Sequence, residues 1–65
     1  MAAAYIKVFC NGICVRVYGG NTNAVREMRD QYKNMTVSEF VAHHPKFYGK
    51  CKHKQDIVVE FKKNS

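Results

Sequence analysis

Apolar and polar residues alternate over 5–10 and again over 13–18, and the two runs are separated only by Asn11-Gly12. Asn-Gly between alternating runs is the strongest short-range signal for a two-residue β-hairpin, because a type I′ turn needs positive φ at both central positions. Such a loop fixes the register. It pairs Cys10 with Ile13, Val8 with Val15 and Ile6 with Val17 on an apolar face. The opposite face then pairs Phe9 with Cys14, Lys7 with Arg16 and Tyr5 with Tyr18. A slip of one residue would exchange the two faces of a strand, so agreement of pattern and register supports a hairpin over 4–18.

Beyond Gly19-Gly20 the period changes from two to that of a helix. Asn21-Thr22-Asn23 supplies N-cap candidates. Val25, Met28, Tyr32 and Met35 then form an apolar stripe at helical spacing, which predicts a helix over 22–33. Thr36-Val-Ser-Glu39 has the capping-box form, and Val37, Phe40, Val41 and His44 continue an apolar face. The pattern predicts a short helix over 37–44, ended by Pro45, which pushes its predecessor out of the α region. Residues 45–55 read as a basic loop, 56–61 as a last strand with Ile57, Val59 and Phe61 on one face, and 62–65 as a frayed tail.

The order ββααβ implies one small α+β domain: an N-terminal β-hairpin in a three-stranded sheet with the helices packed on one face. A right-handed crossover from β2 sets the third strand beside the first, giving order 3-1-2, with order 1-2-3 as the alternative.

Composition adds a partner class. Eleven Lys and Arg stand against five Asp and Glu, a net charge of +6 in 65 residues. A field of that sign attracts polyanions. No apolar run approaches the ~20 residues that span a bilayer, and Lys7 interrupts the apolar start before a signal-peptide core forms. Three cysteines are an odd number for a disulfide framework. These features together point to a cytoplasmic protein with free thiols.

The charge is concentrated in 43–54, which holds four lysines, three histidines, Phe47 and Tyr48, and no acid. Lysines among aromatics suit nucleic acid: ammonium groups neutralise phosphates and rings stack on unpaired bases. Phe47 competes for a second role, as a plug under the loop. The candidate phosphate-binding residues are therefore Lys46, Lys50, Lys52 and Lys54, with Tyr48 beside them. The outer hairpin face, Tyr5, Lys7, Arg16 and Tyr18, extends that surface, since a like-charge pair such as Lys7–Arg16 is unfavourable without an anion. The same face also suits a protein partner or a homodimer, where Tyr and Arg are enriched.

Metal and catalysis are the remaining chemistries. Cys10, Cys14, Cys51, His43, His44 and His53 are zinc-ligand types. The hairpin sends Cys10 and Cys14 to opposite faces, which leaves Cys51 and His53 with His43 or His44 as an open set among repelling lysines. No cofactor or metal is therefore expected. His43, His44 and His53 with Tyr48 and a lysine would also be the parts of a metal-independent ribonuclease, although no spacing forces them together. The residues favour a non-catalytic nucleic-acid-binding protein, for RNA or single strands. A small regulator or inhibitor that docks its hairpin face or edge strand on a larger, acidic protein is the alternative, and a ribonuclease the third reading.

Overall fold

Asn11 and Gly12 take φ of 52° and 85°, the left-handed pair that a two-residue hairpin turn requires. They join β1 (Ala3–Cys10) to β2 (Ile13–Gly20). The structure is a computed structural model and describes residues 3–64. After the hairpin come α1 (Thr22–Asn34), α2 (Val37–His43) and β3 (Ile57–Asn64), with single 3-10 turns at Pro45–Phe47 and Lys54–Asp56. The sheet order is β2-β1-β3, and β1 pairs antiparallel with both neighbours. This is the α+β arrangement and the strand order that the pattern favoured.

Both helix starts are capped as the sequence reads. The Asn21 side chain accepts from the Ala24 N–H at 2.9 Å, and Thr36 and Glu39 exchange the two bonds of a capping box. Ala4, Ile6, Val8 and Cys10 of the central strand are buried beneath Val25, Tyr32 and Phe40 of the helices. Val15, Tyr18, Ile57, Val59 and Phe61 complete that layer from the flanking strands. Every buried residue of β1 therefore faces the helices, and Tyr5, Lys7 and Phe9 face the other way, half-buried.

Three expectations are corrected. The hairpin register holds only for Cys10↔Ile13 and Phe9↔Cys14; a β-bulge then shifts it, so that Val8 faces Arg16, Lys7 faces Val17, Ile6 faces Tyr18 and Tyr5 faces Gly19. Val15 is the extra residue, and a bulge of this kind turns the strand beyond it over by one position. The expected pairs Val8–Val15, Ile6–Val17, Lys7–Arg16 and Tyr5–Tyr18 do not form. The physical gain is electrostatic and polar: Lys7 faces Val17 in place of Arg16, and Arg16 swings to the helix side, where its Nη1 reaches the Tyr32 hydroxyl. The sequence pattern conceals this, because valines flank Arg16 on both sides and alternate equally well in either register.

The second correction concerns the C-terminus. Lys62, Lys63 and Asn64 belong to β3, paired with Tyr5, Ala4 and Ala3, because β1 begins early enough to offer them a ladder; Ser65 of the expected tail lies outside the described residues. Third, α2 stops at His43, and His44 is its C-cap with φ −131° and ψ 71°, the displacement that the following proline imposes.

Candidate functional site

The segment from Pro45 to Asp56 is ordered by its own hydrogen bonds and by one buried anchor. The Phe47 carbonyl accepts from the N–H groups of Lys50 and Cys51 at 3.0 and 3.3 Å. Gly49 supplies the φ of 83° at which that chain reversal occurs. Cys51 is buried in the core cluster beside Cys10. Desolvation and contact with the Cys10 thiol push its pKa up to about 11, so it is a neutral packing residue. Phe47 packs against the same cluster, which makes it the plug. Tyr48, next in the chain, is 80% exposed.

This anchoring leaves the lysines outside. Lys46, Lys50 and Lys52 are exposed. The adjacent acid, Asp56, is directed at the backbone: its Oδ2 accepts from the His53 and Lys52 N–H groups at 3.1 and 3.3 Å. Among the described residues the one ion pair is Arg29–Asp30, far from this segment in sequence, so no carboxylate neutralises these ammonium groups at contact range. Lys54 differs from the other three. Its Nζ donates to the Met35 carbonyl at the end of α1, which ties the segment to the helices.

A second feature borders the basic segment. Arg16 Nη1 donates to Tyr32 Oη at 3.3 Å, and Tyr32 Oη lies 2.8 Å from His44 Nε2. Arg16 also stacks its guanidinium over Tyr18, 5.4 Å from the ring centroid. Tyr32 is only 2% exposed, so its hydroxyl depends on these partners. A guanidinium can only donate. The tyrosine oxygen therefore accepts from Arg16, and of its two partners only His44 Nε2, as an unprotonated nitrogen, can take the hydroxyl's own proton. That assigns the neutral His44 ring its proton at Nδ1. Burial, the Arg16 charge and His43 all hold its pKa below the ordinary value, in keeping with a neutral donor ring.

His44 lines a pocket of about 240 Å³ together with Val15, His43, Pro45, Lys46 and Phe47. Val15, at the bulge, packs on the helix side, and the proline-terminated helix brings the histidines. Val15, Pro45 and Phe47 are apolar walls, His43 and His44 contribute imidazoles, and Lys46 adds a cation. Sequence reading missed this pocket and the Tyr32 hydroxyl. The available signal was a tyrosine within an apolar stripe, since a buried tyrosine hydroxyl generally needs a partner.

The nine residues first singled out thus divide among three places. Lys46 lines the pocket, and Tyr48, Lys50 and Lys52 follow it as exposed residues of the same segment, with Lys54 turned to Met35. Arg16 and Tyr18 lie on the helix side. Tyr5 and Lys7 remain on the uncovered sheet face, beside Phe9, Val17, Val58, Glu60 and Lys62. That face is less basic and more apolar than the regular register implied: Val17 and Val58 are 59% and 47% exposed. Cys10 and Cys14 do face opposite sides of the sheet, buried and exposed respectively. Among the described residues no three His, Cys, Asp or Glu side chains converge as a metal-ligand set, nor is any helix long and apolar enough to cross a membrane. Comparison with protein-family models, curated proteins and solved structures finds no match to this chain.

Proposed function

We propose that this chain is a non-catalytic nucleic-acid-binding protein for RNA or single strands, gripping phosphates with Lys46, Lys50 and Lys52 and offering Tyr48 to an unpaired base. The observation that carries the reading is the ordered basic segment itself. Its lysines are exposed, its nearest carboxylate is spent on backbone N–H groups, and an exposed aromatic stands among them. Uncompensated cations beside a ring are what a single strand needs. Three free cysteines are consistent with a reducing, cytoplasmic setting. Of the three histidines on which ribonuclease chemistry would draw, His44 is already engaged by the Tyr32 hydroxyl at 2.8 Å, which favours binding.

Affinity for a single-stranded oligomer, measured from low to moderate salt, should fall with a log–log slope of about −0.7 per phosphate contact. Lys50→Gln with Lys52→Gln should weaken binding and flatten that slope. Absence of binding at low salt, or binding indifferent to salt, would overturn the proposal.

The uncovered sheet face supports a second reading, a protein partner or second copy docked there, because Val17 and Val58 flank Phe9 and Tyr5 in one exposed patch. In that case Val17→Asp should abolish a stoichiometric complex or a dimer seen by light scattering, while a monomer that recovers no partner would count against it.

A further inference from the structure

The pocket at the head of the basic segment is too apolar in its lining for a phosphate alone. Its walls are Val15, Pro45 and Phe47, and its volume is about 240 Å³, below the ~300–1,000 Å³ of sites that take whole drug-sized ligands. A pocket of that size with three apolar walls and polar groups at His43, His44 and Lys46 matches a single heterocycle attached to a phosphate. The Arg16–Tyr32–His44 chain orients one of these groups: with Nε2 held by the tyrosine at 2.8 Å, Nδ1 is the ring atom His44 has left for a ligand, and it is a donor when the tyrosine proton is on the Nε2 side. Every nucleobase carries ring-nitrogen or carbonyl acceptors on its edge. Lys46 belongs to the same lining, so a strand with one base in the pocket would bring the adjoining phosphate to that ammonium group.

We infer that the pocket lined by Val15, His44, Pro45 and Phe47 is a base-binding subsite, taking one unpaired nucleobase of a single strand against its apolar walls with an acceptor edge on His44 Nδ1–H and the adjoining phosphate on Lys46. This rests on the nucleic-acid reading and adds a specific place and polarity to it. It also gives the bulge a functional consequence, since the regular register would put Arg16 on the uncovered face and remove the donor that orients Tyr32.

The test compares a single-stranded hexamer with a fully abasic hexamer of equal length and charge, and with a mononucleotide. The intact hexamer should bind roughly 5- to 150-fold tighter than the abasic one, the worth of one stacked base, with the same salt slope for both. Amide and ring resonances of Val15, His44 and Phe47 should move with the intact strand and stay still with the abasic one. Equal affinity for both hexamers would overturn the subsite and leave the electrostatic reading standing. Tighter binding of the intact hexamer with shifts confined to Tyr48 or Tyr5 would overturn the location. A mononucleotide that binds as tightly as the hexamer would show the pocket to serve free nucleotides, against the strand assignment. Failure of both hexamers to bind at low salt would remove the nucleic-acid reading and the subsite together.

Discussion

The Tyr32 hydroxyl sits between a cation and an imidazole, and its single proton can serve only one of them. Because Arg16 cannot accept, the proton goes to His44, and protonating His44 would put two donors on one tyrosine oxygen. The folded pKa of His44 therefore lies below 6.5. Between that lowered value and 6.5 the unfolded chain binds more protons than the folded one, so stability is full above pH 6.5 and declines as pH falls. Urea unfolding at pH 7.5, 6 and 5 should show this decline, and His44→Gln, which retains an acceptor but cannot protonate in this range, should flatten it. Glu39, whose pKa is lowered from 4.5 by its bond from the Thr36 N–H, adds a loss of the same sign at lower pH. The thiols differ in the same residue-level way. Cys14 is exposed whereas Cys10 and Cys51 are buried, and reaction needs an accessible thiolate. Cys14 should react at once with a disulfide reagent in the native protein, and the other two only on unfolding; equal rates for all three would contradict the burial described.

At the scale of elements, α2 has seven residues, too few to be stable alone, yet it delivers His43 and His44 to the pocket. Its capping box and the packing of Phe40 hold it in place. Thr36→Ala should cost about 1 kcal/mol in denaturant unfolding. The bulge in β2 acts by changing neighbours. Lys7 faces Glu60 across the β1–β3 ladder and Val17 across the β1–β2 ladder. A double-mutant cycle between Lys7 and Glu60 should give a favourable coupling of a few tenths of a kcal/mol. The corresponding cycle between Lys7 and Arg16 should give none, whereas the regular register would produce a repulsive value there.

Across the whole molecule the sheet separates two surfaces of different chemistry. One end carries the basic segment and pocket, and the uncovered face carries Tyr5, Phe9, Val17 and Val58. Charge reversal at Lys50 and Lys52 should reduce binding of a single strand by at least tenfold at low salt, each lost phosphate contact also removing about 0.7 from the slope. Val17→Asp should leave that binding unchanged. Equal effects of the two changes would mean the surfaces act as one.

Local signals determined much of this protein. Asn11-Gly12 set the turn, Thr36 and Glu39 set a helix start, and Pro45 set a helix end, because each works through backbone geometry within a few residues. The period change from two to helical spacing placed the strands and helices, and the crossover preference favoured β3 beside β1 over the alternative order, which the sheet pairing then decided. The lysine-rich segment was equally legible, since charge without nearby acid is visible in one dimension. Three things waited for the tertiary structure. Val15 and Val17 satisfy either register, so only the partner that Tyr32 offers Arg16, and the removal of Arg16 from opposite Lys7, favour the bulge. Lys62 and Lys63 read as a tail until β1 supplies a ladder for them. The Arg16–Tyr32–His44 chain joins residues far apart in sequence, and no spacing rule reports a contact that exists only when β2, α1 and the end of α2 are packed together.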